Sequence, residues 1–136
     1  MEKILALDLG TKRIGVAISD ELGMLAHPYD VWSWKNINHL INQLDLIIKD
    51  KIISKLVVGV PWTLKGTASA KTEEVLDIID ALKESLNISV IKIDERLTSK
   101  MAQDSLKMMG KKPSRHKSKI DQISAVIILQ SYLDSH

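Results

Sequence analysis

The hydrophobic pattern opens with a nearly continuous apolar run, Ile4, Leu5, Ala6, Leu7 and Leu9, interrupted only by Asp8. Such a run suits a strand covered on both faces. Gly10-Thr11-Lys12 supplies a tight turn, and Arg13 to Ser19 returns with Ile14, Val16 and Ile18 alternating, the period of a second strand. Asp20-Glu21-Leu22-Gly23 reads as another turn and Met24 to Trp32 as a third strand, with Pro28 marking an edge or an irregularity. From Lys35 to Lys51 the period becomes helical, with Ile37, Leu40, Ile41, Leu44, Ile47 and Ile48 on one stripe. Leu56 to Val60 is a short buried strand stopped by Pro61. Ala68 to Leu86 is a second amphipathic helix carrying Val75, Ile78, Ile79, Leu82 and Leu86, and Ile88 to Ile93 is a fifth strand. A third helix is predicted from Thr98 or Ser99, either of which can cap it, to Met109 before Gly110. The last runs from Ser118 to Leu133, and its Ala125 to Leu129 segment is apolar all round, which predicts burial.

This order predicts an α/β fold with a mixed five-stranded sheet. An antiparallel meander forms one side, parallel strands reached by right-handed crossovers form the other, and helices cover both faces. The 136 residues read as a single domain, 1–136, too short for two lobes closed about a cleft. Trp62 to Thr67 and Gly110 to Lys117 read as the flexible segments. No apolar run approaches the roughly 20 residues of a membrane span. No signal peptide fits ahead of the first strand, and the absence of Cys removes disulfides and thiolate metal sites. The expectation is a cytoplasmic protein, monomeric or homodimeric, with no membrane partner.

The net charge of +2 is too mild to establish a nucleic-acid partner by itself. Its distribution says more, because Lys111, Lys112, Arg115, Lys117 and Lys119 crowd into nine residues with His116. Such a run forms either a solvated loop or a phosphate-binding patch.

Three acids stand where regular elements end or begin. Asp8 closes the first strand, Glu95 follows the fifth, and Asp121 lies in the first turn of the last helix. The carboxyl ends of parallel strands share one edge, so Asp8 and Glu95 can face a common crevice, with Asp121 joining them if its helix docks there. Convergent carboxylates repel unless cations neutralise them, and an all-oxygen set selects hard ions such as Mg²⁺ or Mn²⁺. That is the pattern of two-metal phosphodiester hydrolysis. Each acid also has a structural reading: Asp8 as a turn former, Glu95 as a partner of Arg96 or a lysine, Asp121 as a dipole-favoured helix start. The four histidines show no ligand spacing, and no Ser occupies a nucleophile turn.

The segments LALDLGTKRIGVAISD (5–20), VVGVP (57–61), IDERLTSKMA (93–102) and IDQISAVIILQSYL (120–133) resemble, in that order, the YqgF/RuvX family of the RNase H-like superfamily. The resemblance covers nearly the full length. It implies a nuclease with Asp8, Glu95 and Asp121 as metal-binding acids, acting on the 5′ end of precursor 16S ribosomal RNA, with branched DNA such as Holliday junctions a further substrate. Two departures are visible: Ser124 where the family commonly has Ala, and Trp62 where an aliphatic residue is usual. Trp62 can stack on an unpaired base or simply pack. Next to these acids the basic run gains meaning, making Lys111, Lys112, Arg115 and Lys117 candidate phosphate contacts. Lys12, Arg13 and Arg96 are weaker candidates, since each lies close enough to an acid to orient it instead. Two other readings stand against this one. An RNA-binding or transcription-associated factor could keep the fold without catalysis. An actin-like or sugar-kinase ATP-binding domain shares the Asp-x-Gly-Thr turn, but the chain is short for it and has no second such hairpin.

Overall fold

The computed structural model describes residues 3–95 and 117–135, with only the backbone described over 117–121. Its elements are β1 Lys3–Leu9, β2 Arg13–Ser19, β3 Ala26–Ser33, α1 Ile37–Lys51, β4 Ile53–Val60, α2 Ala70–Ser85, β5 Ser89–Asp94 and α3 Lys117–Ser135. The helix expected between Thr98 and Met109 lies outside the described residues. The five strands form one sheet in the order β3-β2-β1-β4-β5. β1, β2 and β3 pair antiparallel, and β4 joins β1 and β5 in parallel. The mixed sheet expected from the element order is therefore the one observed.

Boundaries differ where polar atoms make bonds that hydrophobic periodicity does not register. Asp20 N donates to Leu25 O (3.0 Å) and Met24 N to Asp20 Oδ1 (2.9 Å), so Met24 and Leu25 close a turn and β3 begins only at Ala26. α1 starts at Ile37 because Asn36 accepts from His39 N (2.8 Å) as its cap. α2 starts at Ala70 because Ser69 and Thr72 form a reciprocal capping box. β4 begins three residues earlier than its apolar run, since Ile53 already pairs with Lys3. Pro28 does sit on an edge strand and beside an irregularity: Val16 pairs with Asp30 and Ala17 with Pro28, leaving Tyr29 as an extra residue.

Strand alternation sends two kinds of residue to the two faces. On one, Leu5, Leu7, Leu9, Ile14, Val16, Leu56, Val58 and Val60 pack beneath α1 and α2, against Leu40, Leu44, Ile47, Val75, Ile79 and Leu82. On the other, the small residues Ala6 and Ala17 with Val57 lie beneath Ala125, Ile128, Leu129 and Tyr132 of α3. Large side chains beneath α1 and α2, and small ones beneath α3, let α3 lie low on its face. Ala125, Ile128 and Leu129 are buried as expected, whereas Val126 and Ile127 are only half-buried.

α3 runs antiparallel to β4. Lys55 Nζ, near the start of that strand, donates to the Tyr132 hydroxyl (3.4 Å), while Ile128 lies over Gly59 near its end. The beginning of α3 is thereby carried to the carboxyl edge of the parallel strands. At its other end Gln130 accepts from Ala26 N (2.9 Å) and donates to Met24 O (3.0 Å), locking the helix to the β2–β3 turn.

Candidate active site

Asp8 belongs to the set Ile4, Ala6, Asp8 that faces α3, and it stands opposite Gly15 in the β1–β2 ladder. The following turn is closed by its own backbone, Gly10 N donating to Arg13 O (2.9 Å), and a Cβ at Gly10 would come within 2.6 Å of that oxygen. The turn therefore needs glycine.

Glu95 comes one residue after β5. Its N–H donates to Val60 O (3.1 Å), which extends the β4–β5 pairing and turns the side chain inward. Only 8% of the residue is exposed. The Glu95 and Asp8 side chains are hydrogen-bonded to each other, an arrangement two carboxyl groups achieve only by sharing a proton. Burial first, and then the charge and hydrogen bond of Asp8, push the Glu95 carboxyl up to about 9, with Asp94 adding to the rise and Lys71 opposing it.

The space for this pair is made at Gly59, which pairs with Ile93 in the neighbouring strand. A Cβ there would collide with the Glu95 carboxylate and come within 2.5 Å of Ile128 Cδ1. Sequence reasoning read Gly59 only as part of a motif, although an isolated glycine inside a strand is itself a signal of close approach. Lys71 was also missed. It lies half-buried in the first turn of α2, and Thr72 holds that turn against the carboxyl edge by donating to Pro61 O (2.6 Å). Its usable signal was position alone, at the start of a helix that follows a parallel strand.

The third acid is placed by its backbone. α3 begins at Lys117, one residue before the expected start, so position 121 lies one turn into the helix. Positions 121, 125 and 128 share one helical stripe, and Ala125 and Ile128 are its buried, sheet-facing members. The stripe thus carries position 121 past Gly59 toward the edge where Asp8 and Glu95 meet. The Asp121 and Lys117 side chains lie outside the described residues, as do Arg96, Lys111, Lys112 and Arg115 entirely. Among the described residues no three His, Cys, Asp or Glu side chains form a metal-holding group. Two of the expected acids are brought together, and the backbone leads the third toward them.

Of the other expected contacts, Lys12 is exposed at the tip of the β1–β2 turn. Arg13 stands by alternation on the same face as Gly15, and so on the face of Asp8. Trp62 is half-buried and packs against the core under α1 and α2. Trp62 to Thr67, expected to be flexible, is cross-tied: Thr63 N donates to Thr67 O (3.0 Å), Gly66 N to Thr63 O (2.8 Å), and the Thr63 and Thr67 hydroxyls meet at 2.7 Å. Ser124 is buried on α3, with its hydroxyl unpartnered among the described residues. Burial of that kind costs on the order of 1–3 kcal/mol.

A sheet of this order and direction, with acids gathered at its carboxyl edge under a closing helix, defines the RNase H-like class of α/β proteins. Solved structures agree on the fold: Thermus thermophilus RuvC in complex with a Holliday junction substrate has a TM-score of 0.57 at 12% identity, covering 99% of this chain and 95% of that one. Fowlpox virus resolvase with Holliday junction DNA has a TM-score of 0.60 at 13% identity, covering 98% and 97%. The chain belongs to the RuvX family, described as Holliday junction resolvase, whose profile matches residues 2–135. A relative from Thermosynechococcus vestitus, named "Putative pre-16S rRNA nuclease", is 41% identical over 99% of this chain and 89% of its own length. One of the same name from Acetivibrio thermocellus is 38% identical over 98% of this chain and 96% of its own length.

Proposed function

We propose that this chain is a divalent-metal-dependent endonuclease that hydrolyses phosphodiester bonds of structured nucleic acid. Its main substrate is the 5′ end of precursor 16S rRNA, in cytoplasmic ribosome biogenesis, and four-way DNA junctions are a second. The observation that carries this reading is the buried Glu95 carboxyl hydrogen-bonded to the half-buried Asp8 at the carboxyl edge of the sheet. Family membership and the names of its relatives support it.

The residues present fit Mg²⁺ or Mn²⁺. Two carboxyl groups in direct contact need either a proton or a cation between them, their donors are all oxygen, and Gly59 leaves the cradle open where a Cβ would fill it. Asp8 and Glu95 would hold the ions, with Asp121 as the third acid of the set. Such ions supply activation of the attacking water and charge stabilisation at the leaving oxygen. The protein contributes positioning. β1 carries Asp8 and the end of β5, tied to β4, carries Glu95; the low-lying α3 keeps bulk water off their buried side, and Lys12, Arg13, Arg96, Lys111, Lys112, Arg115 and Lys117 hold the phosphates that flank the cut.

Purified protein incubated with precursor 16S rRNA, plain duplex DNA and a four-way DNA junction should cut the precursor in Mg²⁺ or Mn²⁺ and not in EDTA. Cleavage confined to the junction would move the assignment to branched DNA. Binding without metal-dependent cleavage of any of the three would leave a non-catalytic RNA-binding factor. Neutralising Lys111, Lys112, Arg115 and Lys117 together is expected to weaken RNA binding. It should flatten log affinity against log salt by roughly 3 to 4 units, at about 0.7 to 0.9 per phosphate contact. An unchanged slope removes these four residues from the interface.

A further inference from the structure

We propose that Gly59 is a positioning residue of the nuclease site: by lacking a Cβ it sets both where the Glu95 carboxylate lies and how closely α3 seats over the sheet. The inference rests on the nuclease reading and deepens it, because it assigns a role to a residue that bears no chemistry of its own.

The geometry at this position is crowded from two independent directions. A Cβ on Gly59 would meet the Glu95 carboxylate from the β5 side and Ile128 Cδ1, at 2.5 Å, from α3. Both contacts are side-chain ends, Glu95 Oε2 and Ile128 Cδ1, but each is enclosed, so turning aside displaces other packed atoms. Glu95 is held by its backbone bond to Val60 O (3.1 Å) and by its side-chain bond to Asp8. Ile128 is fully buried, between the equally buried Ala125 and Leu129. α3 is fastened at its far end to the β2–β3 turn through Gln130, and to Lys55 through Tyr132, so that end cannot lift freely. An added methyl would therefore have two outlets: rotation of the Glu95 carboxylate away from Asp8, or a tilt of the start of α3 away from the carboxyl edge. The first separates the described pair of acids. The second withdraws position 121, which shares a stripe with Ile128 two turns away. Either outlet opens the site while the rest of the fold stays intact. The backbone conformation of Gly59 is not the issue, since it lies in a regular strand; the requirement is for empty space above its Cα.

Gly59→Ala tests this with Mn²⁺ as the probe, followed by calorimetric titration, and with cleavage of precursor rRNA. The expected result is Mn²⁺ affinity lower by about tenfold or more. In cleavage, kcat should fall about 100-fold, the scale of a misplacement near 1 Å, with KM changed less than about threefold. Adding Ile128→Val removes Cδ1, the atom that meets the new methyl from α3. The double variant should regain thermal stability lost in Gly59→Ala while its metal affinity stays low, because the clash with Glu95 persists; it also keeps the experiment decisive should Gly59→Ala alone fold poorly. In a Glu95→Gln background Gly59→Ala should cost little further metal affinity, as non-additivity requires of residues acting through one group. Equal effects of Gly59→Ala in the two backgrounds, or wild-type affinity and rate in Gly59→Ala, would overturn the proposal. A wild-type protein that neither binds Mn²⁺ nor cuts would instead overturn the nuclease reading.

Discussion

Asp8→Asn, Glu95→Gln and Asp121→Asn are each expected to reduce cleavage by at least about 10³-fold, with binding of nucleic acid largely kept. Removal of one well-placed electrostatic stabiliser already costs 10²–10³, and an amide also lacks the charge that holds a divalent cation. The same substitutions at Asp8 and Glu95 should leave the metal-free protein as stable as the wild type or more so. Glu95 is buried with the Asp8 carboxyl beside it, which disfavours a second negative charge there, and an amide supplies a permanent donor for the bond they share. Circular dichroism melts in EDTA should show melting temperatures unchanged or raised by a few degrees, the scale of about 1 kcal/mol in a domain of this size. Addition of Mg²⁺ should then stabilise the wild type and not the variants, since only a ligand that binds the native state shifts the equilibrium. A large fall in melting temperature for Asp8→Asn would make Asp8 a structural residue. Full activity in any of the three variants would remove that acid from the site.

The architecture was legible because it depends on short-range signals. The alternation of Ile14, Val16 and Ile18 and the helical stripe from Ile37 to Ile48 each report one element through one period. Their order restricts the sheet to few topologies, of which β3-β2-β1-β4-β5 is one. Asp8 was legible for the same reason, as one acid inside an apolar run. Glu95 was visible as the end of a strand, but its burial arises from Val60, Gly59 and α3, which are far from it in sequence. Nothing local shows that a glycine is needed for room and not for its dihedral freedom, so Gly59 passed as part of a motif. The cross-ties of Thr63 and Thr67 were hidden likewise, because hydroxyl pairs leave no hydrophobic trace. Lys71 illustrates the remaining gap. A lysine in the first turn of a helix looks unfavourable by its dipole alone, and only the nearby carboxyl pair gives the charge a purpose.

Stability in the absence of metal is expected to fall as the pH rises from about 4.5 toward about 9, contrary to the behaviour of a protein held together by ionised carboxylates. In the unfolded chain Glu95 ionises near its ordinary value of 4.5; in the folded protein burial and Asp8 hold the proton until about 9. Between those limits the unfolded state binds fewer protons than the native state, so the unfolding free energy has a negative slope in pH, at most about 1.4 kcal/mol per unit for one proton. The contribution is complete below pH 4.5 and exhausted above pH 9. A divalent cation reverses the trend, because it must displace that same proton. Its apparent affinity should climb with pH across the window, by up to about tenfold per unit. Melting curves from pH 5 to 9 in EDTA, and again in saturating Mg²⁺, would show the two slopes diverging, while Glu95→Gln should flatten the metal-free slope by the share Glu95 contributes. If the Glu95→Gln protein kept the wild-type dependence on pH in EDTA, the shared proton would have to be assigned elsewhere, and the Asp8–Glu95 pair would lose its standing as the place where a cation replaces it.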